Sequence, residues 1–136
     1  MVRVIVTAHG QLATALVQAT AMIVGSDADL VAVDFDLDDE PETLYANCRA
    51  AIGDASAVVF LVDMLGGSPY NAATRCCVGL NSCDVVTGVN LPMVIDASSR
   101  AKQNAGVPVI ARTAMQAGQS SVTALRTSPV TPDHLR

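Results

Sequence analysis

Aromatic residues are scarce in this chain of 136 residues, which has two tyrosines, two phenylalanines and no tryptophan. A core without large rings has to be built from aliphatic side chains, and 51% of the residues are hydrophobic. This composition is typical of a parallel sheet that helices cover on both faces. The length is that of a single domain.

Basic residues are also few. Eight lysines and arginines face thirteen aspartates and glutamates, for a net charge of -5, and the basic residues form no cluster. This balance argues against binding to nucleic acid or to an anionic membrane surface. No apolar run approaches the roughly 20 residues of a membrane span, and the N-terminus lacks a signal-peptide layout. We therefore expect a soluble, cytoplasmic protein.

The four cysteines, Cys48, Cys76, Cys77 and Cys83, form no C-x-x-C pair, and no histidine stands at zinc-finger spacing from them. In a reducing compartment such residues act as small apolar side chains. We expect neither a metal site nor a cofactor.

Strand and helix patterns alternate along the first ninety residues. Apolar runs predict strands at 2–6, 29–35, 57–62 and 84–89, and helical periodicity predicts helices at 11–24, 41–53 and 68–78. The second helix has a buried stripe of Leu44, Cys48 and Ile52. For the first helix the pattern predicts a buried face of Leu12, Leu16, Ala19, Met22 and Ile23.

The pattern is weaker after Asn90. A helix is expected from Pro92 to Gly106, residues 107–117 fit either a helix or a strand, and "SVTALR" at 121–126 fits an edge strand. The last ten residues, 127–136, contain two prolines and little to bury, so we expect a flexible tail.

This alternation predicts an α/β fold with right-handed crossovers, of which the flavodoxin-like strand order 2-1-3-4 is a common small example. In that order ligands bind where strands one and three diverge, at the carboxyl ends of the strands. His9 ends the first strand and Asp63 ends the third. The topology therefore predicts that these two side chains face each other.

A carboxylate beside a histidine fixes the ring tautomer and leaves the other nitrogen with a free lone pair, which can act as base, metal ligand or nucleophile. Gly10 with the start of the first helix, and "GGSP" with Gly66, Gly67 and Ser68, offer two helix N-termini whose amides attract phosphate. We expect Ser68 to cap the third helix with Pro69 behind it. The residues alone still leave a structural histidine and an anion-handling site equally open.

Two other classes with this fold fit poorly. A receiver domain needs an acidic pair after the first strand to bind Mg²⁺, and this chain has Thr7, Ala8 and His9 there. A flavodoxin needs a loop rich in serine, threonine and glycine at the same point, together with aromatic rings for the flavin.

Three motifs, "VTAHG", "FLVDMLGGSPYNAA" and "GVNLPM", occur in the order and spacing of a known family. Over residues 1–126 the chain resembles the IIA domains of the mannose family of the bacterial phosphoenolpyruvate:sugar phosphotransferase system (PTS). The resemblance implies the order 2-1-3-4 with an antiparallel fifth strand, "SVTALR", which is exchanged across a homodimer in the mannose enzyme. It also implies a helix at 107–117.

The resemblance further implies a function. His9 would accept a phosphoryl group from the phosphocarrier protein HPr and pass it to a IIB component, which links the protein to the membrane only indirectly. Asp63 would orient His9, and Ser68 with the amides of its loop would hold the phosphoryl group.

Apolar residues near the site would serve partner docking, and Met22 and Phe35 are candidates. The chain departs from the mannose enzyme at Met64 and Leu65, where that enzyme has a tryptophan. Two alternatives stay open: a regulatory protein whose phosphorylated His9 is sensed by another protein, and a phosphodonor subunit of a dihydroxyacetone kinase. The transported sugar is not encoded in a IIA domain.

Overall fold

Strands and helices alternate through most of the computed structural model, which describes residues 1–128. In chain order the elements are β1 (Arg3–His9), α1 (Leu12–Val24), β2 (Leu30–Phe35), α2 (Pro41–Ile52), β3 (Ala57–Val62), α3 (Ser68–Val78), β4 (Ser82–Val86), α4 (Leu91–Lys102) and α5 (Val107–Ser120). Residues 107–117, for which the pattern allowed two interpretations, lie within a helix. The predicted tail falls outside the described residues from position 129 onward.

The four strands form one parallel sheet in the order β2-β1-β3-β4. β1 lies between β2 and β3, with Thr7 opposite Val33 on one side and Val62 on the other. The carboxyl ends of β1, β2 and β3 therefore meet at one edge of the sheet. The predicted strand order is confirmed, and it brings His9 and Asp63 to this carboxyl edge.

Helices cover both faces of the sheet, as the aliphatic composition predicted. One buried cluster joins Val4, Val6 and Leu61 to side chains of α4 and α5. The other joins Ile5 and Phe60 to side chains of α2 and α3, among them Leu44, Cys48 and Ala73. Successive residues of β1 thus point into opposite layers, which is why its sequence is apolar without interruption.

The predicted buried face of α1 was only partly correct, since Leu16 packs against the core but three of its other members do not. Met22, Ile23 and Leu12 are exposed, whereas Ala13 and Thr20 are fully buried. Apolar residues surround this helix on nearly every side, so periodicity could not identify the face that packs on the sheet. Thr20 is tolerated inside because its hydroxyl donates to the Leu16 carbonyl at 2.9 Å.

Residues 121–128 do not add a fifth strand to the described sheet. They form a turn closed by an isolated antiparallel bridge between Ala124 and Ser128. Val122 and Leu125 are largely exposed. A strand exists only where a neighbouring strand pairs with it, and within residues 1–128 this segment pairs only with itself.

Among residues 1–128, no helix is both long enough and apolar enough to cross a membrane. The four cysteines are free thiols. Cys48 and Cys76 lie in the core between the sheet and helices α2 and α3, where they act as small apolar side chains.

Candidate functional site

His9 and Asp63 meet at the carboxyl edge of the sheet. His9 is the last residue of β1, and Asp63 directly follows β3. The ring Nδ1 of His9 lies 2.7 Å from Asp63 Oδ2, and the same oxygen accepts the His9 backbone N–H at 3.0 Å. Two bonds to one oxygen fix both the position and the rotation of the ring.

Asp63 is itself held firmly. Its second oxygen, Oδ1, accepts the backbone N–H of Met64 at 3.0 Å. Partial burial alone would raise the pKa of Asp63, but the hydrogen bonds from the His9 backbone and ring, the His9 charge and the Met64 N–H outweigh it and hold the pKa below its ordinary value. The carboxylate is therefore ionised at neutral pH, and it selects the ring tautomer in which Nδ1 carries the proton.

The free ring nitrogen, Nε2, faces the loop that precedes α3. A Cβ built on Gly67 would lie 2.9 Å from His9 Cε1 and 3.6 Å from Nε2, so only glycine allows this approach. Gly66 has a φ of +84°, a conformation that glycine adopts without strain. The glycines of the loop thus bring bare backbone against the Nε2 side of the ring.

Ser68 lies one residue further into the helix than predicted. Gly67 is the N-cap of α3 and Ser68 is its first helical residue. No side chain caps this N-terminus. Within residues 1–128, no acceptor is bonded to the N–H of Gly66 or Gly67. These amides and the Ser68 hydroxyl form a group of neutral donors at a helix N-terminus, where anions are favoured.

Gly10 does not contribute a free amide, contrary to the expectation. Its N–H donates to the Phe35 carbonyl at 2.8 Å, and its carbonyl accepts the Phe35 N–H at 3.3 Å. Its φ of +60° lets the chain turn from β1 into α1. Gly10 is therefore a turn residue attached to β2, and its amide is already occupied.

The structure separates the two residues predicted to form a partner surface. Phe35 ends β2, and its ring meets the His9 ring edge to face, with the centroids 5.8 Å apart. The Phe35 ring therefore forms one side of the site around His9. Met22 is 88% exposed but lies ten residues beyond the first residue of α1, which places it about 15 Å along the helix axis from the N-terminus beside His9.

Other exposed apolar side chains lie closer to His9 in the fold. Met64 and Leu65 directly follow Asp63, Leu37 follows Phe35 by two residues, and Leu12 begins α1. We call these four residues the apolar rim. Sequence reasoning noted Met64 and Leu65 only as a departure from a relative. All four could have been identified from the sequence, because each follows within a few residues of the end of a strand.

A second carboxylate at the same edge was also missed. Asp34 of β2 accepts the Thr14 backbone N–H at 3.1 Å and the Thr14 hydroxyl at 2.6 Å. Gln11, the N-cap of α1, makes no side-chain cap of its own. Asp34 therefore caps α1 from a neighbouring strand. A charged residue near the end of an otherwise apolar strand was the available signal.

Together these features suit a nucleophilic histidine better than a buried structural one. The His9 side chain is 48% exposed and that of Asp63 is 15% exposed, so the ring is reachable while its partner is shielded. In the part of the chain that the structure describes, neither lysine nor arginine bonds to these site residues. The arrangement can receive a small anionic group at Nε2 and surround it with neutral donors.

Comparison with known proteins shows which protein family this chain resembles. The family model described as PTS system fructose IIA component matches residues 3–115. The chain is 30% identical over 132 residues to the mannose-specific EIIAB component of Escherichia coli (strain K12), which covers 95% of this chain and 41% of that relative. The chain thus spans about two-fifths of the length of that relative.

Two further matches are of more similar length. The fructose-specific EIIA component of Bacillus subtilis (strain 168) is 36% identical over 102 residues, covering 73% of this chain and 70% of the relative. The solved mannose/sorbose-specific IIA subunit from Enterococcus faecalis superposes with a TM-score of 0.83 at 30% identity, covering 95% of this chain and 98% of that one.

Proposed function

The chain belongs to the family of PTS system fructose IIA components, and from this premise we propose that His9 is the phosphoacceptor of a phosphohistidine carrier in sugar uptake. Members of the family are phosphoryl-transferring components of the PTS. The observation that carries the assignment to His9 is its 2.7 Å contact with Asp63, which leaves Nε2 free against the loop of Gly67.

The proposed step is the transfer of one phosphoryl group between two histidines. Nε2 of His9 attacks the phosphorus of a phosphohistidine on the donor HPr. The new P–N bond forms at Nε2 while the P–N bond of the donor breaks, and the donor nitrogen recovers its lone pair. The proton on Nδ1 stays in the hydrogen bond to Asp63, which stabilises the positive charge that develops on the ring.

The proposed binding site for the phosphoryl group is the N-terminus of α3. Phosphoryl transfer depends on positioning and on stabilising the charge of the equatorial oxygens. The amides of Gly66 and Gly67 and the hydroxyl of Ser68 are donors of the right kind. A set of neutral donors holds the group less tightly than a cluster of cations would, which suits a carrier that must release it again.

The apolar rim supports the proposed partners, HPr as donor and a IIB component as acceptor. Leu12, Leu37, Met64 and Leu65 are at least 44% exposed, with Leu37 at 99%. Exposed apolar side chains around a reactive group fit transient docking, for which interfaces are small. Both partners would meet the carrier in the cytoplasm, at the domain that we propose to span residues 1–126.

A homodimer is the proposed assembly. Within residues 1–128, β4 is the last strand of the sheet and is paired on one side only. A groove of about 360 Å³ beside it is lined by Val85, Met93, Met115 and Val122, among others. Residues 121–126 of a second copy would pair with β4 and cover this groove.

The test is intact-mass spectrometry after incubation with phosphoenolpyruvate, Enzyme I and HPr. The wild type should gain one acid-labile phosphoryl group, and His9→Ala should gain none. His134→Ala is the matched control, because it removes the one other histidine of the sequence and should be phosphorylated normally. Native spectra of the same samples report the oligomeric state.

Two outcomes would redirect the proposal. An unmodified wild type, with HPr taken from the source organism, would contradict the carrier function. A phosphorylated protein that passes nothing to any IIB component encoded beside it would favour the regulatory alternative, in which the phosphorylated state of His9 is the signal.

A further inference from the structure

We propose that Asp34 is a positioning residue for His9, an inference that rests on the proposed function of His9. Asp34 belongs to β2, and within residues 1–128 its carboxylate forms no hydrogen bond with the imidazole or with Asp63. Its carboxylate instead holds Thr14 in the first turn of α1, through the backbone N–H at 3.1 Å and the hydroxyl at 2.6 Å.

The turn that follows His9 is attached to β2 at two points. Gly10 exchanges two backbone hydrogen bonds with Phe35, at 2.8 and 3.3 Å. Four residues later Thr14 is bound to Asp34, the residue before Phe35. We call these two attachments the β2 clamp. The segment between them can neither rise from the sheet nor slide along it without breaking one attachment.

The clamp acts on His9 through its neighbours on both sides. The ring is fixed by Asp63 from the side of β3, and it makes a T-shaped contact with Phe35 from the side of β2. The Phe35 backbone is held by its two hydrogen bonds with Gly10. Gly10 in turn belongs to the turn that is bound to Asp34 through Thr14. Because Gln11 supplies no side-chain cap, Asp34 is the side chain that stabilises the start of α1 within the described residues.

Capping from another strand has a consequence that a local cap lacks. A local serine or aspartate at position 11 would stabilise α1 but add no bond between the helix and β2. The Asp34 carboxylate stabilises the helix only when α1 starts at the correct place on the sheet. Loss of this carboxylate should therefore loosen the position of the imidazole as well as the helix.

The experiment compares Asp34→Ala, Asp34→Asn and Arg3→Ala in the phosphorylation assay with HPr. Asp34→Ala should slow phosphorylation by about ten- to a hundredfold, the range expected when a reacting group is displaced by up to about 1 Å. Asparagine can accept from the Thr14 N–H and donate to its hydroxyl, so Asp34→Asn should restore most of the rate.

Arg3→Ala is the control for lost stability. Arg3 donates to the Ile52 carbonyl at 2.7 Å at the end of α2, near the start of β1 and away from His9. This variant should melt at a lower temperature yet be phosphorylated at the wild-type rate. A folded Asp34→Ala protein with the wild-type rate would overturn the proposal. If Asp34→Ala does not fold, Thr14→Val takes its place, and an unchanged rate in that variant has the same meaning.

A second readout separates this inference from the proposed function. The Nδ1 proton of His9 is held between the ring and Asp63, and its NMR signal should be sharp in the wild type without any phosphorylation. In Asp34→Ala the signal should broaden or shift, and in Arg3→Ala it should not. An inert wild type would contradict the carrier function alone, whereas an unchanged Nδ1 signal in Asp34→Ala would contradict the positioning role alone.

Discussion

Two helix N-termini lie beside His9, and their first turns differ in what occupies the amides. At α1 the Thr14 N–H is bonded to the Asp34 carboxylate, and the preceding Gly10 N–H is bonded to Phe35. At α3 the N-cap is Gly67, which has no side chain, and no acceptor within residues 1–128 is bonded to its amide. A helix N-terminus attracts anions where its donors are free, and at α1 a carboxylate of the protein is already bound there. The N-terminus of α3 is therefore the better candidate to receive the proposed phosphoryl group.

The difference also assigns different work to the two turns. In the proposed function, the α1 turn, which is closed by a charge from the protein itself, locates the histidine. The open α3 turn would bind the incoming phosphoryl group. Substitutions at the α3 side and at Asp63 should therefore affect the chemistry, and substitutions in the α1 turn should affect mainly position and stability.

The largest effect is expected from Asp63→Asn. A neutral amide cannot hold the Nδ1–H tautomer as a carboxylate does, and the comparable change beside the histidine of a serine protease lowers turnover by about 10⁴-fold. Single-turnover phosphorylation by HPr should fall toward that extent while the circular dichroism spectrum stays native. A variant as fast as the wild type would show that the ring is oriented by its backbone and by Phe35 alone.

Gly67→Ala should have the next largest effect. Its Cβ would lie 2.9 Å from His9 Cε1, so either the ring or the loop must move. A loss of about a hundredfold corresponds to a displacement of about 1 Å. Gly10→Ala is the matched control from the other turn: nothing lies within 4 Å of its Cβ, and its cost is the φ of +60°. Both of its backbone bonds to Phe35 are kept, because a methyl group removes neither the N–H nor the carbonyl. That variant should lose about 1 kcal/mol of stability and keep its rate.

Equal losses of phosphorylation rate in Gly67→Ala and Gly10→Ala would contradict the different roles given to the α1 and α3 turns. Thermal melting, measured beside the single-turnover rate, separates the two effects in each variant.

Ser68→Ala is expected to have the smallest effect of the three. It removes one hydroxyl donor and leaves the amides of Gly66 and Gly67. A hydrogen bond to a charged group contributes about 1.5–3 kcal/mol, which is about ten- to a hundredfold in rate or equilibrium. The half-life of the phosphorylated protein and the rate of its formation should both change. An effect on neither would place the phosphoryl group against the amides alone.

The meeting of His9 and Asp63 could be predicted from the sequence because it depends on strand order. Four apolar runs separated by helices leave few topologies, and in the order 2-1-3-4 the ends of the first and third strands are neighbours. The buried stripe of α2 was equally predictable, since its other faces are polar. For α1 the same method failed, because apolar residues occur on nearly all sides and only tertiary packing selects Ala13 and Thr20.

Two other features depended on partners distant in the sequence. The bond between Asp34 and Thr14 joins residues that are twenty positions apart, and no local pattern records such a pairing. The segment 121–126 is short and apolar enough to fit an edge strand, but a strand forms only where a partner strand pairs with it. Within residues 1–128 this segment instead closes a turn through the bridge between Ala124 and Ser128. The occupied amide of Gly10 is a third case, since its acceptor belongs to Phe35 on the neighbouring strand.

In the proposed carrier, the shared oxygen of Asp63 also affects the release of the phosphoryl group. Oδ2 binds both the backbone and the ring of His9, and neither bond involves Nε2. Both bonds can therefore persist when Nε2 carries phosphorus. The carboxylate then stabilises positive charge on the ring of the loaded carrier, and an imidazolium is a leaving group that departs readily. The contact that prepares His9 to attack also prepares it to be displaced, so one carboxylate lowers the barrier in both directions.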